Sequence, residues 1–173
     1  MTFAFRPLLD GDLPTMHRWL NDPEVVRWWE GDDVTWEGVV GDYSPNRPAE
    51  PVDHWIAADR DGDVGWISCA TLGDWPEEAG AWAHHGIDRD DGTIDYLVGD
   101  AARRGRGVGS AMIEQFVHEI GFGCHPGWNR IAVAPMAANV ASWRALEKAG
   151  FRFRAIVPDD LGDTRLMVLD RPR

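Results

Sequence analysis

The stretch "TIDYLVGDAARRGRGVGSAMI", Thr93 to Ile113, decides the fold. It opens as a strand, "TIDYLV", Thr93 to Val98. It closes as a helix: Met112, Ile113, Phe116, Val117 and Ile120 recur at three- and four-residue spacing. Between the two, "ARRGRGVGS", Ala102 to Ser110, packs three arginines and three glycines into nine residues. The glycines let the backbone turn tightly and let a ligand approach its N–H groups. The arginines supply charge-assisted donors. A helix N-terminus adds free N–H groups and a partial positive charge. The segment therefore predicts a site for an anion, a phosphate, where a strand hands over to a helix.

Three nucleotide-binding readings compete for that phosphate. A nucleoside triphosphate loop, G-x-x-x-x-G-K-[ST], lacks its lysine here. A dinucleotide fold needs G-x-G-x-x-G and an acid at the end of the next strand, but the spacing is Gly105-x-Gly107-x-Gly109 and that strand ends in Ala134-Pro135. The third is coenzyme A. The pattern Arg104-x-x-Gly107-x-Gly109 resembles the [RQ]-x-x-G-x-[GA] pyrophosphate loop of the GNAT superfamily of N-acetyltransferases. "NVASWRALEKAGFRF", Asn139 to Phe153, resembles the later helix and following strand of that superfamily. The resemblance extends over essentially the whole chain.

The resemblance implies an α/β (α+β) GNAT fold, one domain over residues 1–173. Its mixed central sheet is splayed between strands near 93–98 and 131–134, with helices on both faces. It implies acetyl-CoA as cofactor, with the pantetheine arm paired to backbone at Leu97 and Val98. The pyrophosphate falls to Arg103, Arg104, Gly105, Arg106, Gly107, Val108, Gly109 and Ser110, and Asn139 contacts the coenzyme near its arm.

Within the superfamily the chain resembles the aminoglycoside 6'-N-acetyltransferases. "RWLNDPEVVRWW", Arg18 to Trp29, is similar to their tryptophan-rich early segment. Asp95 matches their active-site aspartate, which binds the acceptor amine or relays its proton. Trp82 and Asp88 resemble aromatic and acidic substrate positions, and Trp29 would pack on a sugar ring. The chemistry is coherent, because a carboxylate within hydrogen-bond reach can hold an amine and accept its proton. Two departures stand out. Leu146 occupies the position of a tyrosine general acid, leaving Ser142 or water as substitutes, and Ala134-Pro135 replaces Asp-Pro. The other acceptors compatible with the sequence are a siderophore lysine or hydroxylysine, a polyamine or a protein N-terminus. A coenzyme-A-binding module without chemistry is the remaining reading.

The rest of the chain bounds these expectations. The 173 residues carry a net charge of −12, which argues against nucleic acid and anionic membranes and suits a small cationic amine. Lys148 is the single lysine. Cys69 and Cys124 fit no metal or redox spacing, and the histidines show none either, so no metal is expected. With no signal-peptide pattern the expected location is cytoplasmic, as a monomer or homodimer. Of ten tryptophans, eight lie between Trp19 and Trp82, enough for core and cleft alike. The pattern predicts a first strand at 2–9 and helices from Asp12, over 24–29 and from a Thr35 cap. It then predicts a loop at 44–51, a hairpin of strands at 54–58 and 64–71, and a loop at 73–91 containing His84 and His85. A helix over 139–149 and final strands at 151–157 and 164–169 complete it.

Overall fold

The computed structural model describes residues 1–29, 31–46 and 51–173. Among the described residues seven strands form one sheet: β1 (Ala4–Pro7), β2 (Val52–Asp59), β3 (Gly62–Thr71), β4 (Gly92–Val98), β5 (Arg130–Val133), β6 (Arg152–Asp159) and β7 (Gly162–Asp170). Their order is β1-β2-β3-β4-β5-β7-β6. Every neighbouring pair is antiparallel except β4 with β5. That parallel joint is brief. Gly92 pairs with Ile131 and Thr93 with Ala132, after which β4 runs on beside β3 and β5 beside β7. The sheet therefore opens along its middle from Ile94 onward, at the expected place.

Helices cover both faces. On one face α1 (Leu13–Leu20) and α3 (Trp36–Tyr43) bury Met16, Trp19, Leu20 and Val39 against Ile56, Trp66 and Leu97. A short α2 (Pro23–Val26) lies between them, capped by the Asp22 carboxylate on Glu24 N–H. Thr35 caps α3 as its sequence predicts, its hydroxyl accepting from Gly38 N–H. On the other face lie α5 (Val108–Phe116) and α7 (Val140–Lys148). There Ile113, Phe116 and Leu146 pack on Ile94, Ile131 and Met167. A π-helical segment, Val117–Gly121, carries α5 into a last turn, α6 (Phe122–Cys124). Strand alternation sends Ile94 and Tyr96 toward α5 and α7, and Leu97 toward α1 and α3.

One expectation needs correction. The segment 73–91, read as a loop, contains a helix, α4 (Pro76–Ala83). Pro76 sits in its first turn, with Glu77 and Glu78 beside it, a favourable helix start. Its interior is Ala79-Gly80-Ala81, too small to produce an apolar stripe, so the helical period is invisible in the sequence. Residues 47–50 of the predicted loop at 44–51 lie outside the described residues. Among the described residues no helix is long and apolar enough to cross a membrane.

Candidate functional site

The opening between β4 and β5 widens into a cleft of about 1180 Å³. It runs from the α5 N-terminus, lined by Gly105, Gly107, Gly109 and Ser110, to a mouth walled by α2, α3, α4 and the β6–β7 turn. Asp95, Leu97, Val98 and Asn139 line it between these ends. So do Trp29 and Trp82 from the sequence expectations.

The α5 N-terminus is shaped to receive an anion. Gly105 and Gly107 take φ of +73° and +79°, the left-handed region that favours glycine. Gly107 is the N-cap, and its carbonyl accepts from the Ser110 hydroxyl at 2.9 Å. The first-turn N–H groups, Val108 to Ser110, have no intrahelical acceptor and carry the helix's positive end. A pyrophosphate fits this cradle, and the parted strands fit an extended arm beside it.

The arginines behave otherwise than their density suggests. The Arg103 guanidinium is clamped between Asp59 and Asp100, away from the cleft. Arg104 reaches the cleft wall but donates to Asp22 at 2.9 Å and to the carbonyls of Val98 and Gly99. It holds the loop against the α2 cap. Arg106 is exposed outside the lining, and Val108 packs its side chain on Phe3 and Ala57. The first two arginines build the loop, and its glycines line the cleft.

The far end of the cleft is acidic. Asp32, Asp42, Glu77, Glu78 and Asp95 line it, joined by Asp159 and Asp160 from the β6–β7 turn. Asp95 is wetted by the cleft yet crowded by its walls. Burial pushes its carboxyl up to about 6, and the charges of Asp32 and Glu78 push the same way. Desolvation also raises Asp32, followed by the charge of Asp42. His54 stacks on Trp66, with ring centroids 5.6 Å apart, and burial lowers it to about 4. It is therefore neutral near pH 7 and adds no positive charge to this end.

Tyr96 was not singled out by its sequence, yet it lines the cleft one residue from Asp95. Its hydroxyl lies 2.7 Å from Ser142 Oγ on α7. Burial raises its phenol above the ordinary value, more than the Ser142 hydrogen bond lowers it, so the phenol stays protonated. Ser142 N–H in turn donates to the Asn139 side chain at 3.2 Å, the α7 cap. Leu146, by contrast, is fully buried among Ile113, Phe116 and Met167.

Asp88 requires a correction. It lies outside this cleft, beside a shallow pocket formed with Gly73, Pro76 and Arg89. Its N–H donates to the buried Asp91 carboxylate, which also accepts from Arg130 N–H. These bonds bend the 88–91 turn back toward β5, away from the mouth. Trp82 lines the cleft but is largely core, packed with Leu72, Ile87 and Leu166. His84 and His85 do not line the cleft. Unforeseen in the sequence are Asp32, Tyr43 and Glu78, all brought to the mouth by tertiary packing.

Comparison with known proteins agrees with this geometry. The acetyltransferase (GNAT) domain model matches residues 9–158. The aminoglycoside N(6')-acetyltransferase type 1 of Klebsiella pneumoniae is 29% identical over 172 residues, spanning 97% of this chain and 83% of that protein. The structure of AAC(6')-Ib with ribostamycin and coenzyme A superposes with a TM-score of 0.85 at 26% identity, covering 99% of this chain and 94% of that one. AAC(6')-Ib with coenzyme A and kanamycin gives 0.83 at 26% identity, covering 98% and 95%.

Proposed function

The chain belongs to the GNAT acetyltransferase family, and from that premise we propose that it transfers acetyl from acetyl-CoA to the 6'-amine of an aminoglycoside. One observation carries the reading: a single cleft joins the N–H cradle of α5 to a carboxylate-lined mouth through the parted strands β4 and β5. Such a mouth concentrates a polyammonium substrate. The solved relatives named above hold aminoglycosides together with coenzyme A, which supports the same acceptor.

A bound thioester supplies the activated acetyl group. The chain's residues do the rest. The α5 N–H groups and the backbone at Leu97 and Val98 hold the cofactor. Asp95 binds the substrate ammonium and accepts its proton, directly or through water, which frees the nitrogen lone pair. The carbon–nitrogen bond forms as the carbon–sulfur bond breaks, and the nitrogen sheds its second proton to water in the cleft, leaving a neutral amide; Asp95 returns its proton to solvent. The departing sulfur takes a proton from the Tyr96 hydroxyl, and solvent restores that proton through Ser142. Leu146 has no part in the chemistry. Tyr96 stands in for the absent tyrosine and favours an enzyme over a binding module. Trp28 and Trp29, also in the lining, offer flat faces for sugar rings.

The test is release of free thiol from acetyl-CoA against kanamycin, tobramycin, lysine, spermidine and a short peptide. Turnover confined to aminoglycosides with a free 6'-amine is the expected result. Turnover on lysine, spermidine or peptide alone would reassign the acceptor. Coenzyme A binding with no turnover on any of them would leave a module without this chemistry.

A further inference from the structure

On the face of the sheet opposite the Asp95 side chain, three side chains of different chemistry meet. Asp53 on β2 and Cys69 on β3 are cross-strand partners, which sends both side chains to one face. His125, just after α6, closes over them. Cys69 Sγ lies 3.8 Å from His125 Nε2, and His125 Nε2 lies 3.8 Å from Asp53 Oδ2. One ligand atom from each residue lies within 4.8 Å of the others.

We infer that Asp53, Cys69 and His125 form a binding site for one divalent ion of the zinc class. A tetrahedral ion with Zn–S of about 2.3 Å and Zn–N or Zn–O of about 2.0–2.2 Å sets its ligand atoms roughly 3.3–3.6 Å apart. The sulfur–nitrogen and nitrogen–oxygen separations, both 3.8 Å, stand a few tenths of an ångström outside that shell, and the sulfur–oxygen separation lies within 4.8 Å. Asp53 is exposed and can make up the difference. Thiolate, imidazole and carboxylate together select a borderline-soft ion over magnesium or calcium.

The imidazole is held in place before any ion arrives. Its ring stacks on Trp128, with centroids 3.8 Å apart and planes 4° from parallel. Trp128 is itself fixed by its indole N–H donating to Thr71 Oγ1 at 3.2 Å. The Arg171 guanidinium donates to the carbonyls of Phe122, His125 and Trp128. These contacts set the turn independently of the metal, as a preorganised ligand requires. Binding displaces the Cys69 thiol proton to solvent and forms one metal–sulfur bond with no change of oxidation state. The fourth position faces water on the Asp53 side. The ion joins β2, β3 and the turn after α6, stiffening the floor of the cleft, because Ser68, beside Cys69, pairs with Asp95.

The experiment uses the full chain, reduced, stripped with a chelator and titrated with cobalt(II). The expected result is a thiolate-to-cobalt charge-transfer band that saturates at one equivalent, together with the strong visible bands of four-coordinate cobalt. Zinc should displace both and raise the melting temperature. Cys69→Ser removes the charge-transfer band, whereas Cys124→Ser keeps it. His125→Phe preserves the stack on Trp128 and lowers affinity at least tenfold. Asp53→Asn lowers it too and leaves the core untouched. Cys69 is buried, so if its variant fails to fold, His125→Phe and Asp53→Asn decide the matter. The inference is overturned by no band at stoichiometric cobalt, by a band that survives Cys69→Ser, or by unchanged affinity in His125→Phe.

Discussion

The Tyr96 hydroxyl lies 2.7 Å from Ser142 Oγ, so a strand of the parted sheet is tied to a helix across the opening itself. Asp95, the next residue, points to the other face of the sheet. The proposed proton acceptor and the proposed proton donor thus stand on opposite sides of one strand, a separation that would let both act without neutralising each other. Tyr96→Phe keeps the ring packing and removes the donor. We expect kcat to fall at least tenfold, about 1.4 kcal/mol of barrier, with the KM for acetyl-CoA within twofold. Ser142→Ala should have a smaller effect of the same kind. Steady-state thiol release checks both, and an unchanged kcat in Tyr96→Phe would remove that residue from the mechanism.

Asp95 carries a pH signature of its own. With its carboxyl raised to about 6, kcat/KM should climb with pH through that value. Asp95→Asn should lose this limb and at least tenfold of the rate, with coenzyme A binding intact. Stability shows the opposite sign. A carboxyl raised above its unfolded value makes the folded chain bind more protons between the two values, so stability falls as pH rises from about 4 to about 6. Asp95→Asn should therefore melt higher than wild type at pH 7.5, and the gap should close near pH 4. Thermal melts across that range test the sign.

Two loop variants separate charge from shape. Gly107→Glu places bulk and negative charge at the cradle, on a left-handed backbone, and should abolish coenzyme A binding by calorimetry. Arg103→Ala releases Asp59 and Asp100 from their clamp, lowers the melting temperature by a few degrees, and leaves coenzyme A affinity within about threefold. A large affinity loss in Arg103→Ala would return that guanidinium to the ligand.

Gly99 closes the strand end against a buried ring. A Cβ there would meet Trp19 ring carbons at 2.1 Å. Gly99→Ala should destabilise by about 1–3 kcal/mol through overpacking. Urea unfolding would read it as a lower midpoint at unchanged slope.

Much of this was legible in the sequence because it is local. The strand-loop-helix from Thr93 to Ile113 carries its own turn glycines and its own apolar period. The Thr35 cap, the helix beginning at Asn139 and the two hairpins likewise depend on neighbours a few residues away. What was hidden depends on tertiary geometry. Residue types predict that arginines near glycines contact phosphate, but Arg103 and Arg104 face carboxylates and carbonyls that packing delivers. Asp88 reads as a mouth residue until the buried Asp91 carboxylate bends its turn away. Tyr96 reads as an ordinary strand tyrosine, since nothing near it in sequence announces Ser142. Helix α4 was missed because alanine and glycine fill its middle and leave no stripe to count.

The acid-lined end of the cleft also distinguishes before from after. Acetylation turns one ammonium into a neutral amide, while the carboxyl groups of Asp32, Glu77 and Glu78 stay where they are. At about 4 Å a lost charge pair is worth roughly 1–4 kcal/mol between fully wet and half-dry surroundings. The same wall that draws in a polycation therefore loosens its hold on the acetylated product, and exit is driven by the charge the reaction removes.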